Sequence, residues 1–298
     1  MIYTLTLNPA IDYVVQLDRP LTPGTINRSH YEDFQFGGKG INVSNVLRTL
    51  GQNTTALGFI AGFTGLGLEQ GLQSMGLATD FIRLKDGNTR INMKVKAAEE
   101  TEINGSGPAI TDDALDTLLA RLDLLSDDDV LVLSGSVPKG VSADIYARIL
   151  NHLQSKNITT VVDTSGVALT HTLPFRPFLI KPNRQELEEL FGISVSTREQ
   201  LFTCARALQQ QGARNVLVSL AEDGAFLLDE TGAAHRAPCP KGQVVNSVGA
   251  GDSMVAGFLA GWLETHSYAY ALKLGIAAGS ATAFSLGLAD KAAIEALL

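Results

Sequence analysis

Cysteine is almost absent: Cys204 and Cys239 are the only two in 298 residues, too few for a disulfide framework or a Cys-rich zinc site. Aromatic residues are scarce, at 6%, while glycines number 29, which favours a loop-rich α/β enzyme over a β-sandwich. Basic residues are outnumbered, with 23 Lys and Arg against 31 Asp and Glu and a net charge of −8. That balance gives no footprint for nucleic acid or an anionic membrane, though a few converging cations can still hold a small anion. No run approaches the ~20 apolar residues of a membrane span. The start, MIYTLTLNPAID, has no basic region and reads as a first strand rather than a leader, so a cytoplasmic protein is expected. Neither G-x-S-x-G nor H-E-x-x-H occurs, and His30, His152, His171, His235 and His266 lie scattered without ligand spacing.

What is present is an ordered chain, 45% apolar and 18% charged, long enough for one large domain or two small ones. Apolar strands are expected at Ile2–Leu7, Thr54–Ile60, Val130–Leu133, Thr159–Val162, Phe178–Ile180 and Val216–Ser219. Helical spacing marks Ile41–Leu50, Leu66–Met75, a segment from Thr111 to Leu125, Asp144–Leu153, Arg184–Phe191 and Arg198–Gln211, and two Ala/Gly-rich helices follow Gly251 and Ala269. This alternation predicts a mainly parallel sheet covered on both faces. Hairpin-like segments at about 12–36 and 89–105 predict a small β lid over the strand ends. The expectation is one α/β domain over 1–298 with a discontinuous lid.

Four motifs can carry chemistry. In Val248-Gly249-Ala250-Gly251-Asp252-Ser253 small residues lead into an apolar helix, so bare amides at a positive helix end form an anion site, with Asp252 placed to accept a proton. Gly37-Gly38-Lys39-Gly40-Ile41-Asn42 is a second glycine turn into a helix. It is no Walker A loop, because Gly40 follows Lys39 where Ser or Thr is required. Lys181-Pro182-Asn183-Arg184-Gln185-Glu186 offers two oxygen ligands three residues apart for a metal hydration shell; a capping box is the plainer reading. Ser219-Leu220-Ala221-Glu222-Asp223-Gly224 ends an apolar strand, where loops of open α/β sheets line the ligand crevice. Ser134-Gly135-Ser136 and Asp163 also end strands, Asn8 and Asp12 follow the first, and Arg28 and Arg90 lie in the lid segments.

In this order, and together with Asn8-Pro9-Ala10-Ile11-Asp12, Thr89-Arg90-Ile91-Asn92 and Ser134-Gly135-Ser136-Val137-Pro138, these motifs resemble the ribokinase-like (PfkB) carbohydrate kinases over nearly the whole chain. Within them the resemblance is to the 1-phosphofructokinase and tagatose-6-phosphate kinase branch. It implies a three-layer α/β/α fold with a β lid, ATP and Mg²⁺ as cofactors, and a homodimer through the lid. It implies that Asp252 is the catalytic base and that Gly249, Ala250 and Gly251 form the anion hole. Asn183 and Glu186 would organise Mg²⁺ through water. Lys181, Val248, Gly251 and the loop Ser219, Leu220, Ala221, Glu222, Asp223 and Gly224 would meet the nucleotide. Asp12, Gly38, Lys39 and Asn42 would contact the sugar, and Arg28 and Arg90, with Ser136 and Lys39, its existing phosphate. The implied reaction phosphorylates a ketohexose monophosphate, fructose 1-phosphate first and tagatose 6-phosphate as the alternative. Asn246-Ser247-Val248 replaces the Asp-Thr-Thr of many family members, so ribokinase's monovalent-cation site is not carried over. A non-catalytic sugar-phosphate sensor would bind without turnover, and the retained Asp252, Asn183 and Glu186 argue against it. A dinucleotide-dependent oxidoreductase lacks its G-x-G-x-x-G after the first strand.

Overall fold

A run such as Val130–Ser134, with every residue buried, is accommodated only in a sheet covered on both sides. The computed structural model, which describes residues 1–298, builds such a sheet from nine strands and sets a sheet of four beside it. In chain order the strands are β1 (Ile2–Thr6), β2 (Ala10–Leu17), β3 (Ser29–Gly37), β4 (Thr54–Ala61), β5 (Ala78–Leu84), β6 (Arg90–Lys96), β7 (Glu100–Asn104), β8 (Val130–Ser134), β9 (Thr159–Asp163), β10 (Leu179–Ile180), β11 (Asn215–Ser219), β12 (Ala225–Leu228) and β13 (Ala234–Ala237). The helices are α1 (Lys39–Thr49), α2 (Gly62–Ser74), α3 (Asp112–Leu122), α4 (Ile145–His152), α5 (Gly166–Thr170), α6 (Arg184–Phe191), α7 (Arg198–Gln211), α8 (Ala250–Thr265), α9 (Tyr268–Ala283) and α10 (Lys291–Glu295).

The large sheet has the order β13-β12-β11-β10-β9-β8-β1-β4-β5. Its pairs are parallel from β11 to β5, and only β12 and β13 run against their neighbours. One face is covered by α3, α4, α6 and α7 through residues such as Leu118, Tyr146, Leu187 and Leu208. The other is covered by α1, α8, α9 and α10 through Val46, Phe258, Leu274 and Ile294, giving the expected three layers. The strand order reverses at β1, and such a reversal opens a crevice beyond the carboxyl ends of the strands. The small sheet, β3-β2-β6-β7, has a parallel centre and antiparallel edges, and Phe36 and Ile11 pack it onto the α2 region.

The sequence expectation differs from the structure in a few places. Strand β5 was not expected: as an edge strand its burial is mixed, so it lacks the continuous apolar run of its neighbours. The segment Thr25–Phe36 resolves into one strand, β3, that starts at Ser29. Helix α2 begins at Gly62 rather than Leu66, its first turn hidden by glycines, and the five-residue helices α5 and α10 are too short to show periodicity.

Helices α8 and α9 pack unusually closely because glycines line their contact. A Cβ on Gly257 would come within 2.6 Å of the Leu274 carbonyl oxygen and 2.8 Å of the Ala278 Cβ, and one on Gly275 within 2.9 Å of the Met254 oxygen. This contact fixes where the first turn of α8 points. Replacing Gly257 with Val should force the helices apart and cost roughly 1–3 kcal/mol, read as a lower Tm in thermal unfolding; an unchanged Tm would refute the close-packing account.

Candidate active site

The first turn of α8 lies at the crevice. Gly249, its N-cap residue, has φ 80° and no side chain caps the helix. The Ala250 N–H donates to the Ser247 oxygen and the Ser253 N–H to the Gly249 oxygen, which leaves the amides of Gly251 and Asp252 without a partner in the chain. Bare amides there suit an anion. Of the three residues expected to form the anion hole, Gly251 keeps a free amide, whereas Ala250's is spent on the turn.

Asp252 is 6% exposed. Burial pushes its carboxyl up to about 6, with the nearby Asp163 charge adding to the shift, while a hydrogen bond from Asn42 and the Lys39 and Lys181 charges oppose it. The Asn42 Nδ2 donates to Asp252 Oδ2 at 2.8 Å, tying α1 to α8. At the end of β9, Asp163 is 2% exposed and bridges two lysines: Lys181 Nζ lies 3.2 Å from its Oδ1 and Lys39 Nζ 3.5 Å from its Oδ2. Burial pulls the Lys39 ammonium down, but the Asp163, Asp252 and Glu186 carboxylates outweigh it and raise it. Lys181 lies directly beneath Gly251, where an added Cβ would stand 3.2 Å from its Nζ.

Beside this group lies a cavity of about 230 Å³ with no apolar lining residue. Gly38, Lys39, Arg90 and Ser136, four of the residues expected at the substrate, line it together with Thr6, Asn8, Ser134, Gly135, Thr164 and Ser165. Gly38 turns the chain into α1 at φ 132°, and a Cβ there would lie 2.8 Å from the Thr6 methyl. The Arg90 Nε donates to the Asn8 carbonyl at 3.1 Å, which orients the guanidinium; burial lowers its pKa and the Asp12 charge opposes this. The lid supplies Asp12, whose Oδ1 accepts from Asn92 Nδ2 at 2.8 Å and whose Oδ2 lies 3.4 Å from the buried Lys94 Nζ.

Other expectations fare differently. Arg28 is exposed and precedes Ser29, which pairs with Leu17, whereas Arg90 pairs with Ala10. Seven residue steps along β2 separate these pairs, roughly 23 Å at strand rise, so Arg28 and Arg90 do not meet within one chain. Leu220 is part of the core, and its side chain offers a nucleotide nothing. Ala221, Glu222 and Asp223 form an exposed 3-10 turn, and Asp223 pairs with Arg184 at 2.6 Å. Val248 is exposed in the turn before α8. Asn183 and Glu186 make the reciprocal capping box of α6, each donated to by the other's main-chain N–H at 2.8 Å. One Glu186 oxygen remains uncommitted. Mg²⁺ keeps several waters and needs only one or two protein carboxylates beside substrate phosphates, so this donor set fits a water-mediated ion.

Sequence reasoning passed over Asp163, Ser134, Asn92 and Lys94 as members of the site. Ser134 is fully buried and its Oγ has no partner, which leaves a polar atom at the cavity floor. The available signal for Asp163 and Ser134 was a polar residue at the carboxyl end of an apolar strand.

The family described as pfkB family carbohydrate kinase matches residues 2–294. The chain is 44% identical to a 1-phosphofructokinase of Bacillus subtilis (strain 168), over 100% of this chain and 97% of the relative. It is 38% identical to a D-tagatose-1-phosphate kinase of Bacillus licheniformis, over 99% and 96%. Among solved structures, phosphofructokinase-2 from Escherichia coli in complex with fructose-6-phosphate superposes with a TM-score of 0.92 at 30% identity, covering 99% of this chain and 97% of that one. With a match along almost its entire length and relatives at this identity, the chain belongs to the pfkB family of carbohydrate kinases and is a phosphotransferase.

Proposed function

We propose that the protein transfers the γ-phosphoryl group of ATP to O6 of fructose 1-phosphate, giving fructose 1,6-bisphosphate. The observation that carries this reading is the wholly polar cavity with Lys39 and Arg90 on its wall, coupled through Lys39 and Asn42 to Asp252 and the bare amides of α8. One end suits a phosphate already on the substrate, and the other the phosphoryl group in transfer. The name of the 44% identical relative supports fructose 1-phosphate. A second reading is tagatose 1-phosphate, supported by the name of the 38% identical relative. The tagatose kinases among these relatives are named for the 1-phosphate, not the 6-phosphate that was the alternative from sequence, which supports a phosphate on C1 and O6 as the acceptor. A reaction using ATP and a phosphorylated hexose belongs in the cytoplasm.

In this mechanism Asp252 takes the proton from the attacking hydroxyl. The Gly251 and Asp252 amides receive the equatorial oxygens of the moving group, and Lys39 and Lys181 balance its charge. Asp12, held by Asn92 and Lys94, orients the sugar hydroxyls. Gly249 sets the helix entry, and the loop from Ser219 to Gly224, with Val248, borders the nucleotide. Mg²⁺, when bound with ATP, supplies charge neutralisation on its phosphates, with Glu186 and Asn183 holding its water shell.

A coupled ADP-release assay should rank fructose 1-phosphate above tagatose 1-phosphate and fructose 6-phosphate, with free fructose last. Arg90→Ala should raise KM for the sugar phosphate roughly 10–100-fold with a smaller loss in kcat. A preference of the unaltered protein for free fructose would sink both the substrate assignment and the role of Arg90.

Replacing Asp252 with Asn should lower kcat at least ~100-fold. The unaltered enzyme should lose kcat as pH falls through about 6, above the range of an ordinary aspartate. Stability should move the other way. A carboxyl whose folded pKa is raised stabilises the fold below its unfolded pKa, and that contribution is lost as pH rises through the folded value. At pH 7.5 Asp252→Asn should therefore raise Tm while removing activity; a lowered Tm with retained kcat would contradict the assignment.

We also propose that the lid forms a homodimer. Phe34, Tyr13, Met93 and Ile103 stand side by side across all four lid strands, and Phe34, Met93 and Ile103 are 57%, 38% and 62% exposed. An apolar row of this kind marks an interaction surface, and the E. coli phosphofructokinase-2 neighbour is described in a tetrameric inhibited form. Sedimentation should show a dimer that Phe34→Glu with Ile103→Glu converts to a folded monomer; a dimer surviving both changes would place the interface elsewhere.

A further inference from the structure

A cavity of about 290 Å³, larger than the one beside Lys39, lies at the opposite edge of the large sheet. Ile158 and Thr160 at the start of β9, Phe178 just before β10 and Arg214 just before β11 form its walls, closed by the end of α4 and the turn through Phe175 and Arg176. The same strands end, at the other edge, beside Asp163 and Lys181. The two cavities are therefore separate and can be filled together.

Its lining is chemically specific. Three cations, Lys156, Arg176 and Arg214, face a wall that includes Ile158, Phe175 and Phe178, and no carboxylate lines it. In a chain of net charge −8 such a local excess is not the default surface. Lys156 is spent on the main-chain oxygens of Asp123 and Leu125. Arg214 is fixed by Glu230 at 2.7 Å and lies over the Phe178 ring, 5.2 Å from its centroid. Arg176 is held in the left-handed region at φ 54° with its main-chain N–H donating to the Leu173 oxygen, and its guanidinium has no hydrogen-bond or ion-pair partner in the chain. Two cations are thus positioned by the fold while a third is left free at the mouth, beside an apolar floor. The volume is at the small end of the roughly 300–1,000 Å³ of small-molecule pockets.

We infer that this cavity is a second binding site, for a small organic anion: a phosphate or carboxylate carried on a flat apolar body. The body lies against Phe175 and Ile158, which are only half-buried, and the anionic group meets the Arg176 guanidinium, whose planar fork suits such oxyanions. The site stands independently of the sugar-phosphate reading.

The protein carries a single tryptophan, Trp262, whose ring centroid is 5.4 Å from that of Phe178, so its emission reports on this cavity. Phenyl phosphate added to the full chain should change Trp262 emission saturably, with half-saturation at about 1 mM or below and the same value by isothermal titration. Benzyl alcohol, the uncharged counterpart, should not. Arg176→Asn, a residue that tolerates left-handed backbone, and Gln154→Glu, which puts a negative charge in the lining, should each weaken binding at least about fivefold. Arg90→Ala, in the other cavity, should leave it unchanged. No saturable binding by either method, an equal response to benzyl alcohol, unchanged affinity in both cavity variants, or loss of binding in Arg90→Ala would each overturn the inference.

Discussion

Everything at the crevice turns on one buried group of charges: Asp163 clamped between Lys39 and Lys181, with Asp252 close enough to feel all three. Two carboxylates sharing a dry site repel, and burial disfavours the ionised form of Asp252. The two lysines offset that repulsion, so the group is close to neutral before any substrate arrives. Removing either lysine from such a set leaves an uncompensated buried carboxylate, which is costly, whereas the intact set contributes little net stability. What the set changes more is Asp252: burial and the Asp163 charge hold its carboxyl up to about 6 against the pull of the two lysines.

That arrangement requires four chain segments to arrive at one place. β9 delivers Asp163 at its carboxyl end, and β10 delivers Lys181 just beyond its own. The turn after β3 delivers Lys39 at the start of α1, and α8 brings Asp252 in its first turn. The parallel register of β1, β8 and β9 aligns Thr6 with Ser134 and Ser134 with Asp163, so these polar ends share a level at the rim. The close glycine contacts between α8 and α9 do the corresponding work for the helix. Sheet and helices thus constrain the same few ångströms from opposite sides, and a shift of about 1 Å in either is enough to degrade transfer geometry.

Much of this was legible in the sequence, for identifiable reasons. The central strands are apolar on both faces, and the glycine turns before Lys39 and Asp252 are local signals that survive any tertiary context. Strand β5 was not legible, because an edge strand carries charges such as Asp80 and Arg83 that break its pattern. Asp163 looked like a surface turn residue. Only the pairing of β9 with β8 and β10, and the long-range approach of Lys39 and Lys181, reveal it as buried. Arg28 shows the opposite case, since strand register places this basic residue at the far end of the small sheet from Arg90 within one chain. Asn183 and Glu186 were read both ways from their spacing, and the capping box is what the geometry displays, with a spare Glu186 oxygen as the remnant available to a hydrated ion.

The division of labour between the two sheets carries a consequence for catalysis. Asp12, Arg90, Asn92 and Lys94 belong to the lid, while Lys39, Asn42, Asp163 and Asp252 belong to the main domain. The site is therefore a junction and not a pocket carved in one body. The halves are joined by Arg90, fastened through the Asn8 carbonyl, by Thr89, whose carbonyl accepts from the Thr64 hydroxyl, and by Ile11 and Phe36 packed on the α2 region. In the proposed reaction, a substrate that bridges from Asp12 and Arg90 to Asp252 adds contacts across this junction that the free protein lacks, and excluding water there keeps it from competing as acceptor. On that reading the residues of the small sheet act on the rate through the position of the sugar, and the main-domain residues through the charge of the group in flight.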